Sequence, residues 1–245
     1  MIRLQKLLAE AGLGSRRTVE GWIRAGRVTI GDRTAQLGDR ASHTDEVRLD
    51  GRKLDLRGES DSGRELLLYY KPVGEVTTRR DPQGRPTVFE RLPPPARGRW
   101  ISVGRLDVNT SGLLLLTTDG GLAHRLMHPS GGVEREYLVR VRGRPGPDAI
   151  RRLLVGVSLE DGRARFDRIS ADPPGKGAHG SFRVVLHEGR NREVRRLWEA
   201  VGFEVSRLLR IRYGPIELPR DLRPGNTRLA DGHTLERLRS AVRLP

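Results

Sequence analysis

Apolar residues recur along this chain with two different periods, and each period predicts an element. Leu4, Leu7, Leu8 and Ala11 stand at i, i+3, i+4 and i+7, one face of a helix. Gly12 and Gly14 close that helix. Ser15 is placed to cap a second helix, which carries Val19, Trp22 and Ile23 inward and ends near Gly26. Val28 and Ile30 then alternate as a short strand before Gly31-Asp32. Beyond residue 64 strand patterns dominate. Residues 66–70 read as a buried strand stopped by Lys71-Pro72-Val73-Gly74. Further strands are expected at 101–103, 113–118, 137–141, 182–186 and 207–213, the last with Leu209, Ile211 and Tyr213 at period two. Helices fit around 121–127, 147–154, 192–201 and 234–242, and in the third Val194, Leu197, Trp198 and Val201 share a face.

The strands cluster, and helices do not separate them one by one. That pattern predicts an α+β fold with a mixed, largely antiparallel sheet flanked by helices, rather than a doubly wound one. Residues 57–64, Arg-Gly-Glu-Ser-Asp-Ser-Gly-Arg, are polar and without period, and read as a flexible linker. They divide the chain into a small N-terminal αβ domain, 1–60, and a larger domain, 65–245.

Charge changes the picture next. Lys and Arg total 46 against 31 for Asp and Glu, a formal net charge of +15. An excess of this size points to a polyanionic partner, with nucleic acid ahead of an anionic membrane. Arg3, Lys6, Arg16, Arg17, Arg24 and Arg27 fall outside the apolar stripe of the first two helices. They form either an RNA clamp or a solvated helical face. Cysteine is absent, which excludes disulfides, Cys-ligated zinc and a thiol nucleophile. The N-terminus is charged where a signal peptide needs an apolar run, and no apolar stretch approaches the roughly 20 residues of a membrane span. A cytoplasmic, membrane-free monomer is the expectation.

Several chemistries lack their motifs. There is no Walker A loop, no Gly-x-Gly-x-x-Gly opening a helix after a strand, and no Gly-x-Ser-x-Gly elbow. His124 and His128 stand four apart, but Pro129 ends that helix at once and no carboxylate neighbours them. Metal and cofactor are therefore both expected to be none. A metal-dependent nuclease needs clustered carboxylates, and Asp107 and Asp119 are the nearest pair. What stands out is Gly104-Arg105-Leu106-Asp107-Val108-Asn109-Thr110-Ser111-Gly112, an Asp between a strand end and a Gly-flanked turn. Loops at strand ends are where a scaffold presents reactive groups. The local pattern alone favours an Asp capping a turn or pairing with Arg105, because Asp is so common in turns.

Ordered motifs add a family resemblance. Arg3-Leu4-Gln5-Lys6-Leu7-Leu8, Gly14-Ser15-Arg16-Arg17 and Ile23-Arg24-Ala25-Gly26-Arg27-Val28 resemble the S-four RNA-binding module, over about residues 1–56. The 104–112 stretch resembles the catalytic motif of the ribosomal-RNA pseudouridine synthases of the RsuA/RluB group. Lys71-Pro72-Val73-Gly74, Glu134-Arg135-Glu136-Tyr137-Leu138-Val139 and Glu188-Gly189-Arg190-Asn191-Arg192-Glu193-Val194-Arg195-Arg196-Leu197 resemble three more of its motifs, in the group's order.

The resemblance implies an enzyme that isomerises a uridine of ribosomal RNA to pseudouridine without a cofactor, acting on free RNA or an assembly intermediate. Arg190-Asn191-Arg192 and Trp198 resemble the branch acting on large-subunit (23S) RNA; a small-subunit target is the alternative within the family. By resemblance Asp107 is the catalytic carboxylate, Tyr137 stacks on the base, Arg195 is the nearby cation and Leu209 an apolar floor. By analogy with related synthases, Arg105 fills the stack that the base vacates. Ser15, Lys71, Arg190, Asn191 and Arg192 join the basic residues of the first two helices as expected RNA contacts. A noncatalytic ribosomal-RNA-binding or ribosome-assembly protein on the same scaffold is the alternative from another class.

Overall fold

The computed structural model describes residues 1–56, 63–172 and 178–244. The linker expected at 57–64 lies, but for its last two residues, outside them. The chain forms two compact units: Met1–Glu65 with Pro94–Trp100 and Thr118–Gly120, and the remainder from Leu66 onward.

In the first unit α1 (Leu4–Glu10) and α2 (Arg16–Arg24) follow the short β1 (Ile2–Arg3). Ser15 Oγ accepts the Thr18 N–H, 3.0 Å, so the expected cap is made. Five short strands follow: β2 (Val28–Ile30), β3 (Arg33–Thr34), β4 (Arg40–Ala41), β5 (Val47–Leu49) and β6 (Arg52–Lys53). They pair antiparallel as β3-β2-β5-β6, with β4 on β1. Leu4, Leu7, Leu8, Val19 and Ile23 from the helices meet Val28 and Val47 in one core. The apolar stripe therefore faces inward as its period predicted, and Arg3, Arg16, Arg17, Arg24 and Arg27 are exposed. Only β2 was legible among these strands, from the apolar pair Val28 and Ile30 before the Gly31-Asp32 turn; strands this short carry too few residues for a period to mark the others.

The second unit is built on one sheet. Its strands are β7 (Leu66–Lys71), β8 (Ile101–Val103), β9 (Ser111–Thr117), β10 (Arg135–Arg142), β11 (Val157–Leu159), β12 (Gly162–Ala164), β13 (Arg168–Ala171), β14 (His179–Leu186), β15 (Val205–Tyr213), β16 (Ile216–Glu217) and β17 (Thr227–Leu229). Its helices are α3 (Gly120–Met127), α4 (Pro147–Val155), α5 (Glu193–Glu199) and α6 (Gly232–Ala241). Among the described residues the main sheet runs β13-β14-β10-β15-β9-β7-β17, with β16 on β15 and β8 on β9; β11 and β12 form a separate hairpin. Every pairing in the main sheet is antiparallel except β15 with β9. The fold is α+β with a mixed, largely antiparallel sheet. The α5 stripe works as expected: Val194, Leu197 and Trp198 are buried, and Trp198 packs on Phe182 with ring centroids 4.9 Å apart.

One expectation fails, at β15. Against β10 its register skips Ser206 and Ile211, each left as an extra residue at a bulge. The bulge at Ile211 moves Tyr213 onto the face of Arg210 and Leu208, all three buried. Leu209, which simple alternation would set beside Tyr213, faces the other way.

Candidate active site

Asp107 sits in the loop between β8 and β9, and that loop is held by its own carbonyls. The Thr77 hydroxyl donates to Leu106 O at 3.0 Å. Lys71 Nζ donates to Asp107 O at 3.1 Å and to Thr110 O at 2.9 Å. Gly74 N–H donates to Val108 O at 2.8 Å, and Arg195 Nη2 to Asn109 O at 2.8 Å. Each carbonyl from 106 to 110 thus has a donor from a different part of the chain or from Lys71. Such a loop is over-determined without help from the Asp107 carboxylate, which stays available.

Asp107 lines a cavity of about 930 Å³ together with Arg105, Tyr137, Arg190, Asn191 and Arg192. These are residues from three separate motifs, 85 positions apart in sequence between Asp107 and Arg192. Tyr137 is 8% exposed. Arg105 is exposed beside the Asp and lines this cavity and a second, smaller one, bordered by residues 76–85. Arg195 lies behind the loop rather than in the cavity wall, its guanidinium donating to Asn109 O and to Val205 O at 2.9 Å. Burial, then Arg192, lowers its ionisation, while attraction to Asp107 acts the other way.

Three expectations are corrected. Lys71 was read as an RNA contact, yet it is 0% exposed and its ammonium is surrounded by the carbonyls of Pro72, Asp107 and Thr110. Burial pulls it down to about 8 against the attraction of Glu75 and Asp107. It pins the Asp107 loop and cannot reach a phosphate. Leu209 is not the cavity floor: it opposes Leu138 on the other face of the sheet and lines a different, more apolar cavity, while Leu208 lines that of Asp107. Arg190 lines the cavity, but its guanidinium is engaged by Glu188 at 2.5 Å and by the carbonyls of Asp161 and Arg163. In the N-terminal unit Arg27 pairs with Asp50 at 2.9 Å, Lys6 with Glu10 at 3.6 Å and Arg24 with Glu20 at 4.0 Å. Ser15 spends its hydroxyl on the helix cap. Among the described residues Arg3, Arg16 and Arg17 carry no ion pair.

Four cavity residues carry no role in the sequence reading, although Thr110, Arg135 and Glu193 stand in its motifs. Arg135, 8% exposed, donates to the carbonyls of Val133, His187 and Glu188 and to Tyr213 Oη, and so fixes the wall opposite the Asp107 loop. Glu193 is buried and accepts the Arg190 N–H at 3.1 Å at the start of α5; burial raises it to about 7. Thr110 and Arg210 are each 2% exposed. Thr110 Oγ1 and Arg210 Nη2 have no hydrogen-bond partner. An Arg inside the apolar run Leu208-Leu209-Arg210-Ile211 was the available signal, since Arg is almost never buried without a specific partner.

The geometry joins a loop-mounted carboxylate, Asp107, to an aromatic wall and a set of arginines, two of which, Arg135 and Arg210, are buried. Comparisons with known proteins agree with it. The family model described as RNA pseudouridylate synthase matches residues 65–200, and the S4 domain model, the S-four module, matches residues 2–47. The protein named ribosomal large subunit pseudouridine synthase B of Yersinia pestis is 54% identical over 244 residues, 99% of this chain and 76% of the relative. Its namesake in Escherichia coli (strain K12) is 54% identical over 245 residues, 99% of this chain and 84% of the relative. A solved structure described as a pseudouridylate synthase superposes with a TM-score of 0.67 at 27% identity, over 97% of this chain and 100% of that one. A loop-borne Asp107 in a cationic cavity, matched along nearly the whole chain to proteins of one kind, makes this chain a member of the RNA pseudouridylate synthase family.

Proposed function

We propose that this chain isomerises a uridine of large-subunit ribosomal RNA to pseudouridine, with Asp107 as the single acting carboxylate. The relatives' names support the choice of RNA. The observation that carries the assignment of Asp107 is the five-carbonyl clamp on its loop, which aims the side chain into the cavity that Tyr137 walls. The reaction breaks the N1–C1′ bond and makes a C5–C1′ bond. It is redox-neutral and transfers no phosphate, so an ionised carboxylate, a base-holding wall and cations suffice. Asp107 attacks the sugar or the ring, or takes the 2′ proton of an electron-deficient sugar. Tyr137 offers the uracil a flat face. The chain acts as a cytoplasmic monomer, with Arg3, Arg16 and Arg17 free to grip phosphates without reading sequence.

Large-subunit and small-subunit ribosomal RNA tritiated at uridine C5 test this reading, because forming the C5–C1′ bond releases that hydrogen. Release from large-subunit RNA alone is the expected result. Release from small-subunit RNA alone overturns the choice of target, and release from neither overturns the activity.

A base in a stem must leave its stack, at a cost of a few kcal/mol. Arg105, exposed at the cavity mouth two residues before Asp107, is positioned to fill the gap. Arg105→Ala is expected to slow single-turnover tritium release from a stem substrate by roughly 10-fold or more, while a flexible single strand changes by less than about 3-fold. Equal loss on both substrates contradicts the gap-filling role.

A further inference from the structure

Among the described residues Arg210 is the one buried cation lining the cavity whose guanidinium keeps a donor without a hydrogen-bond partner. It lines the cavity of Asp107 and is almost fully buried. Its Nε donates to Leu113 O at 2.7 Å, and its guanidinium lies 5.1 Å from the Tyr213 ring centroid. Both contacts fix the side chain. Its Nη2 is left without a partner, and among the described residues no carboxylate lies within ion-pair range of it. A guanidinium is a pure donor that stays charged, so its open N–H calls for an acceptor from a ligand. Thr110 Oγ1 is a second open, buried atom on the same cavity. Among the described residues these two are the only cavity-lining side chains with such an atom. The other buried cations differ: Lys71 and Arg135 donate to three backbone carbonyls each, and Arg195, whose Nε is also unpartnered, donates to two and does not line the cavity.

Register supplies the direction. Tyr137 on β10 pairs directly with Arg210 on β15, so the two side chains rise from the same face of the sheet as nearest cross-strand neighbours. A uracil stacked on Tyr137 therefore has its edge beside the Arg210 fork. We propose that Arg210 is a catalytic residue, whose open Nη2 donates to a carbonyl oxygen of the uracil and holds the charge the ring acquires as it leaves the sugar.

This rests on reading the chain as a uridine isomerase. When N1–C1′ breaks, the bonding pair goes to N1 and the ring becomes an anion with its charge shared among N1, O2 and O4. C1′ is left electron-deficient, to be met by Asp107 or relieved by loss of the 2′ proton. After rotation C5 attacks C1′, displacing the Asp107 carboxylate where that had bonded to it; the C5–C1′ bond forms, the C5 proton leaves to solvent, and N1 takes up a proton from solvent. If the 2′ proton was taken, it is returned. A buried donor aimed at the ring oxygen acts on the charge where it develops and also keeps the detached ring in place.

The test uses a leaving-group comparison. Arg210→Met and Arg210→Lys are assayed by single-turnover loss of uridine, and of 5-fluorouridine, from otherwise identical RNA. Fluorine makes the departing ring a weaker base, which needs less help. Arg210→Met is expected to slow the uridine reaction by roughly 100-fold with RNA affinity little changed, and the fluorinated one by about 10-fold or less. Arg210→Lys, which keeps the charge, recovers part of the uridine loss. Equal slowing of both substrates, or a wild-type rate in Arg210→Met, overturns the proposal. Should Arg210→Met not fold, Arg210→Lys carries the comparison, and a uniform slowing by it refutes the role. Tritium release by the wild type, measured in parallel, tests the isomerase reading separately.

Discussion

Gly112→Ala is expected to cost the larger unit about 4 kcal/mol or more of stability, close to the extreme for a single substitution. Gly112 is the second residue of β9, directly after the catalytic loop. It pairs with Arg210 at the one parallel seam of the sheet, where β9 meets β15 over Ser111 and Gly112 alone. A Cβ there would lie 2.2 Å from Arg210 O and 2.6 Å from Arg210 N. These are backbone atoms, so no side chain can swing aside. The backbone φ is also +111°, a region in which an L side chain is strained by about 1–3 kcal/mol. The overlap adds a further 1–3 kcal/mol or so of overpacking, or parts the seam. Gly104→Ala is the control. Its φ is +75° but nothing lies within 4 Å of the added carbon, so it should cost only about 1 kcal/mol. Urea unfolding of both variants, followed by a probe in the larger unit, measures the difference. Equal stabilities for Gly112→Ala and the wild type contradict the close approach.

The contrast between those two glycines shows where the sequence was informative. Both stand in one motif, and nothing local tells the strained one from the crowded one; the crowding comes from a strand nearly 100 residues away. Helix faces were legible because burial is periodic: Leu4, Leu7 and Leu8 needed only the i, i+3, i+4 rule. Strand β10 was legible for the same reason, whereas β7 was legible as a continuous apolar run buried on both faces. The face of β15 was not, because an extra residue at Ile211 resets the alternation and leaves no mark in residue types.

The site was legible in part. Asp107, Arg105, Tyr137, Asn191 and Arg192, expected from separate motifs, converge on one cavity, and so does Arg190, although its guanidinium is engaged within the protein. Only ordered resemblance brought them together, since the loop of Asp107 by itself fits an ordinary turn. Lys71 was misplaced for a physical reason. Lysine is almost never fully buried, so a Lys-Pro pair after a strand reads as a solvated corner. The structure instead uses its ammonium as a three-donor pin, with the backbone carbonyls supplying the acceptors that water would have supplied. Arg210 was passed over although an Arg inside an apolar strand run was a signal of it, because nothing near it in sequence shows that the strand turns it toward the Asp107 cavity.

Asp107→Asn is expected to abolish turnover while leaving the fold and the RNA complex intact. The loop is secured through the backbone carbonyls of residues 106–110, and Thr110 N–H bonds to Asp107 O rather than to its carboxylate. An amide of the same shape therefore keeps the geometry. What it removes is the anion that attacks the sugar or ring or takes the proton, and loss of a group acting in that way costs about 10⁴-fold or more. The basic surface is untouched, so affinity for RNA at fixed salt should change by less than about 3-fold. The most direct measurement is tritium release from C5-labelled large-subunit ribosomal RNA, with binding measured on the same preparations. Wild type releasing tritium while Asp107→Asn binds as tightly and releases none is the predicted result. Release by Asp107→Asn at the wild-type rate would show that the carboxylate is not the catalyst.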